Sequence, residues 1–230
     1  MSLHGKTVVI TGATGRIGQP LVEACARAGA TLAITTRRQA ASSKLEQDLQ
    51  QRGITAAVLP CDLLYEEDVV RAVHRLSQRF GKIDVVINAA ITAGPRLSAL
   101  NYPMDPWREV IATNVNGTFL VCREVLPWMI RQQSGSIINV TDSHAGPRDG
   151  KSAAYLVSMQ TVDHLTRLLA AEAKGTGVRI NAVDIAQLAP PSRTRQQPSD
   201  WTETFVWLAD DESAEVTGQR IEARAVVKAS

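Results

Sequence analysis

Cysteine is scarce in this chain and widely scattered. Its three cysteines, Cys25, Cys61 and Cys122, include no Cys-x-x-Cys pair. Such a set does not read as a zinc site or as a disulfide framework. Cys25 and Cys122 fall at apolar positions of helical patterns and read as core residues. No apolar run is long enough to span a bilayer, and no signal-peptide pattern opens the sequence. A cytoplasmic location with no membrane partner is therefore expected. There is no excess of one charge either, since 25 Lys and Arg face 23 Asp and Glu, for a formal net charge of +2. The basic residues are dispersed, so no nucleic-acid partner is expected. Internal repeats and low-complexity tracts are absent as well. What remains is one domain, 1–230, with enough length for a sizeable core.

What is present begins with a strand, a tight turn and a helix. Val8, Val9 and Ile10 run into Gly12, Gly15 and Gly18, and Ile17, Leu21, Val22, Cys25 and Ala28 then recur at helical spacing. Glycine allows the sharp turn and a close approach of phosphate to backbone, while amide N–H groups and the dipole at the helix start favour an anion. Glycine motifs alone have many false positives, and a turn without a ligand is the plainer reading. Position decides between them: the motif follows the first strand and opens the first helix, as a dinucleotide-binding fingerprint must. Thr14, Arg16 and Ile17 complete the loop.

The second strand, Thr31–Thr35, ends in Thr36-Arg37-Arg38. An acid at this tip would hydrogen-bond a free ribose 2′-hydroxyl and repel a 2′-phosphate. None is present, and arginine forks suit phosphate oxygens. Thr36 and Arg37, with Arg16 nearby, therefore point to NADP(H) over NAD(H); the alternative is a solvated basic turn. Strand and helix then alternate to the end. Helices are expected over 43–52, 66–80, 107–132, 152–174 and 201–209, and strands over 56–59, 83–88, 136–140, 179–183 and 220–227. Pro127 should kink or divide the helix that contains it, and Asn114–Gly117 in the same helix suggests a kink or a local hydrogen-bonding role. This alternation implies an α/β fold: a Rossmann-type, doubly wound parallel sheet flanked by helices.

The sequence resembles the short-chain dehydrogenase/reductase family over nearly its whole length. Thr11–Gly18 resembles the family's cofactor loop, and Asp62-Leu63 its adenine-contacting pair. Asn88-Ala89-Ala90 resembles N-A-G with the last glycine lost, and Asn114, within Thr113–Phe119, matches the family's helix asparagine. Gly135–Val140 and Arg179–Val183 match the strands on either side of the catalytic helix. The resemblance implies that Tyr155, opening that helix, is the proton donor or acceptor of a Y-x-x-x-K motif. The lysine position, however, is Met159. A lysine there would help bind the nicotinamide ribose and lower the tyrosine's pKa. The family's serine falls thirteen residues before the tyrosine, at Asp142; a loop shortened by one residue, as Gly146 suggests, places Ser143 there instead, and Ser143 is favoured as the carbonyl-binding hydroxyl. An inward-facing Asp142 would raise the Tyr155 pKa.

Further departures are Ile185-Ala186 in place of Pro-Gly and a shortened substrate lid at about 187–200. Lys151 and His144 are the candidates to replace the missing cation, His144 being the one to keep, while the offset of His164 from Tyr155 points it away; a solvated side chain is the plainer reading of each. The resemblance thus implies an NADP(H)-dependent oxidoreductase acting on a small carbonyl or alcohol. Two alternatives stand beside it: a non-catalytic dinucleotide-binding protein or partner subunit, and a non-redox acid–base enzyme on the same scaffold. The surplus of apolar residues on the two long helices, which pair across subunits in the resembling family, implies a homodimer or homotetramer.

Overall fold

A computed structural model describes residues 1–37, 39–143, 153–186, 188 and 198–224. Seven parallel strands form one sheet in the order β3-β2-β1-β4-β5-β6-β7. They are β1 (Thr7–Thr11), β2 (Thr31–Thr36), β3 (Ala56–Pro60), β4 (Val85–Asn88), β5 (Gly135–Thr141), β6 (Val178–Asp184) and β7 (Arg220–Glu222). The central strands are apolar without a break because both faces are covered; Val85, Val86 and Ile87 are wholly buried. Alternate residues serve two cores. Val8 and Ile10 pack with α1 (Gly18–Arg27) and α7 (Pro198–Ala209), while Val9 and Val86 pack with α3 (Glu66–Phe80) and α5 (Gly117–Gln132).

The order reverses at β1 and β4, so the first connections run to one side and the later ones to the other. A crevice at the carboxyl ends of the strands results, which is where open α/β sheets bind ligands. Helix α2 (Gln39–Gln51) follows β2. Helix α3 matches its expected range. Glu66, Glu67 and Asp68 occupy its first turn, where negative charge complements the helix dipole, and Gly81 ends it at φ 72°, donating its N–H to Ser77 O. Helix α6 (Ala153–Glu172) lies between β5 and β6.

The long segment before β5 departs from expectation. It comprises α4 (Met104–Ile111), a π-helical turn (Ala112–Asn116) and α5, and α5 runs undivided through Pro127. Pro127 lies on the solvent side, so water can meet the carbonyl it leaves unbonded one turn back. The break in regularity falls instead at the Asn114–Gly117 stretch. Two strands are shorter than expected: β4 starts at Val85, two residues after Ile83, and β7 stops at Glu222. No helix among the described residues is long and apolar enough to cross a membrane.

Candidate active site

Close contact shapes the glycine loop. Gly12 has φ 66°, and a Cβ there would stand 2.5 Å from Ala90 Cα and 2.7 Å from Ala89 O. The loop is thus pressed against the end of β4, where Thr11 Oγ1 accepts the N–H groups of Ala89 (3.2 Å) and Ala90 (3.3 Å). A Cβ on Gly18 would run into the Gly12 carbonyl. Ile17, preceding α1, provides no side-chain cap, so the helix start can present amides to an anion. The cleft in front holds about 220 Å³ and is lined by Gly12, Thr14, Gly15, Thr36, Arg37, Asp62, Leu63, Ala89, Ala90 and Thr113. Thr35, Cys61 and Ile91 also line it; no motif marks them beyond their places at or just past strand ends. Glycine at 117, costly inside a helix, has a packing reason, because a Cβ there would sit 2.9 Å from Leu63 Cβ. These features fit a dinucleotide: a turn with no room for side chains, an uncapped helix start and a basic end.

Four of the expected cofactor residues do not line this cleft. Ile17 and Gly18 are buried behind it. Arg16 is exposed and acts electrostatically on Tyr155. Asn88 turns its side chain away: Nδ2 donates to Asn139 Oδ1 (2.9 Å), and Asn139 Nδ2 donates to Thr166 Oγ1 (2.9 Å). This buried chain ties β4, β5 and α6 together.

The second part of the site centres on Tyr155, which is 7% exposed in the first turn of α6. Its hydroxyl donates to Asp142 Oδ2 at 3.0 Å, and Asp142, just past β5, is itself buried. The thirteen-residue spacing is therefore the one realised. Ser143, expected as the hydroxyl beside Tyr155, is half-buried and donates its backbone N–H to Asp184 Oδ1 (2.9 Å). The Tyr155 phenol is pushed well above its ordinary range, first by burial and then by the charge and hydrogen bond of Asp142; Arg16 opposes this and Asp184 adds to it. Met159, one turn on, is 1% exposed. It contributes volume and no charge.

The Asn114 side chain is fully engaged. Its Oδ1 accepts Thr92 N–H (2.8 Å), and its Nδ2 donates to Thr92 O (2.9 Å) and Ser158 Oγ (2.9 Å). Ser158 Oγ donates in turn to Tyr155 O (2.8 Å). Asn114 thus clamps the π-helical turn to the loop after β4 and to the turn of α6 that carries Tyr155. His164 is exposed on α6. His144, Lys151, Arg38 and most of the expected lid at 187–200 lie outside the described residues, and 198–200 open α7. Among the described residues, no three His, Cys, Asp or Glu side chains converge as metal ligands.

The chain is similar to known proteins in sequence and in fold. The sequence pattern of the short chain dehydrogenases matches residues 6–200. A sorbose reductase of Candida albicans is 28% identical, with 96% of this chain and 86% of that protein aligned. A mitochondrial borneol dehydrogenase of Lavandula x intermedia is 29% identical, covering 95% of this chain and 89% of the relative. Among solved structures, an NAD+-bound xylitol dehydrogenase superposes with a TM-score of 0.83 at 25% identity, over 98% of this chain and 100% of the other.

Proposed function

We propose, from the premise that this chain belongs to the short chain dehydrogenase family, that it is an NADP(H)-dependent oxidoreductase reducing a small carbonyl compound. The observation that carries the cofactor reading is the basic end of the cleft: Thr36 and Arg37 stand at the tip of β2 and line it. Asp62 also lines the cleft, but its Oδ1 accepts the N–H of Leu64 (3.1 Å). When bound, the nicotinamide supplies or accepts the hydride. The chain's own part is to hold a proton at Tyr155 Oη and release it to the substrate oxygen. Burial and Asp142 keep the phenol protonated, which suits proton donation and opposes proton abstraction. Reduction is therefore the favoured direction. In this reading Asp142 governs Tyr155 and Asn114 positions its helix.

A second reading, a dinucleotide-binding protein without turnover, is favoured by Met159 and by the carboxylate beside Tyr155. Titration with NADPH and NADH, followed by nicotinamide fluorescence and thermal shift, tests the shared premise. Selective NADPH binding followed by turnover in a carbonyl panel supports the first reading. Binding without turnover, with activity appearing only in Met159→Lys, supports the second. If neither nucleotide binds, both fail.

We also propose a homodimer or homotetramer formed through the outer face of α6. Leu156, Val157, Leu165 and Leu168 line a shallow apolar recess there, and Val157 and Leu168 are about half exposed. Light scattering at micromolar concentration should show the oligomer, and Val157→Glu with Leu168→Glu should dissociate it. A monomeric wild-type chain would refute this assembly.

A further inference from the structure

Next to the cofactor cleft lies a second recess of about 310 Å³, walled by Arg37, Pro60, Asp68, Arg71, Ala72 and Arg75. Arg37 belongs to both walls. The recess exists because β3 ends at Pro60 while α3 passes beneath that edge. Ala72 is buried against the sheet, which leaves Arg71 and Arg75, one turn apart, on the outer flank. Like charges at this spacing on a helix repel each other, and Arg37 brings a third guanidinium. The one acid in the recess is already committed: Asp68 pairs with Arg71, and its Oδ2 accepts the N–H of Asp62 (3.0 Å). Among the described residues, neither Arg37 nor Arg75 has an ion-pair partner.

Three guanidiniums set against one occupied carboxylate form a site for a compact dianion. Arginine forks match phosphate oxygens in geometry as well as charge. The shared wall places such an anion at the adenosine end of the cleft. We infer that the recess is a phosphate-monoester subsite, in which Arg71 and Arg75 of α3 join Arg37 in holding the 2′-phosphate of the bound dinucleotide. This rests on the NADP(H) reading above and extends it to two residues on a different element. Asp68 sets the reach of Arg71, and Arg75 is the freer fork.

The test compares NADPH and NADH affinity for wild type, Arg75→Gln, Arg71→Gln and Arg37→Gln. All three side chains are exposed, so thermal melting should confirm an intact fold. Arg75→Gln should weaken NADPH binding about tenfold, the worth of one charge-assisted hydrogen bond, and change NADH binding less than twofold. Adenosine 2′-monophosphate should stabilise wild type against heat more than inorganic phosphate does, and Arg75→Gln should erase the difference. If Arg71→Gln and Arg75→Gln keep the wild-type NADPH/NADH ratio while Arg37→Gln lowers it, the α3 subsite is overturned and the NADP(H) reading stands. Equal wild-type affinity for both nucleotides would sink the NADP(H) reading, and this inference with it. If inorganic phosphate stabilises through Arg75 while the nucleotide ratio stays unchanged, the recess holds free phosphate and the 2′-phosphate assignment is wrong.

Discussion

Replacing Asp142 with asparagine should make the Tyr155 phenol at least tenfold easier to ionise. The Asp142 Oδ2 to Tyr155 Oη separation is 3.0 Å. At that range two unit negative charges repel by about 1.4 kcal/mol with the dielectric of water and by about 5.5 kcal/mol at an effective value near 20. Each 1.4 kcal/mol is about a tenfold change in the ionisation constant. Asparagine still accepts the tyrosine proton through Oδ1, so the variant removes charge while keeping the contact. Burial, the largest cause of the upward shift, remains, and the phenol should stay above its ordinary range. The assay is alkaline titration of phenolate absorbance, with the Tyr155→Phe protein subtracted to remove Tyr65 and Tyr102. The linkage gives an independent check. A phenol raised in the folded state costs nothing below about pH 10, where the unfolded tyrosine is also protonated. Above that pH the unfolded chain ionises first, and stability falls. Asp142→Asn should flatten this fall. Identical titration curves for wild type and Asp142→Asn would refute the electrostatic coupling, and with it the argument that this site favours proton donation.

The three thiols extend the same logic to lower pH. Cys25, Cys61 and Cys122 are each pushed up to about 12, chiefly by burial, so stability should fall from about pH 9 toward pH 12 at up to about 1.4 kcal/mol per pH unit per thiol. Urea unfolding across that range should be shallower for Cys25→Ser. Gly18→Ala should abolish nucleotide binding and lower Tm, because the added methyl meets the Gly12 carbonyl; unchanged NADPH affinity would contradict the loop geometry. Asn139→Ala should cost about 1–3 kcal/mol, as measured by the urea midpoint, because Asn88 Nδ2 loses its oxygen acceptor and keeps only the Cys122 sulfur, while Thr166 Oγ1 still donates to Val162 O (2.8 Å).

Much of the fold could be read from the sequence because its signals are local. The apolar run at 85–87 marks a strand covered on both faces, and the spacing of Val69, Val73 and Leu76 sets α3. Most of the cleft followed as well, since the glycine loop, the β2 tip and the residues after β3 and β4 all meet at one edge of a doubly wound sheet. The half around Tyr155 was less legible. Which residue meets Tyr155 depends on the path of the chain between 143 and 153, and counting residues cannot fix that path. Asn114 stood out, but its commitment to Thr92 and Ser158 brings together three segments far apart in sequence. The Asn88–Asn139–Thr166 chain was missed for a related reason. Each residue looks like a polar interruption in an apolar pattern, and only the β4–β5 pairing shows that they satisfy one another.

The π-helical turn at Ala112–Asn116 works as a phase shifter. Each residue of an α-helix turns the face by about 100°, so one residue more or less within a continuous rod re-aims everything beyond it. Here α4 runs through the turn into α5 with helical dihedrals at both junctions, and α5 presents Val121, Cys122, Val125 and Met129 to the core. A one-residue deletion within the turn would restore uniform winding and rotate one half against the other. Either Asn114 would leave Thr92 and Ser158 or the Val121–Met129 stripe would leave the sheet. The turn fixes the angle between the Tyr155 edge and the core, and it ties the length of this segment to both.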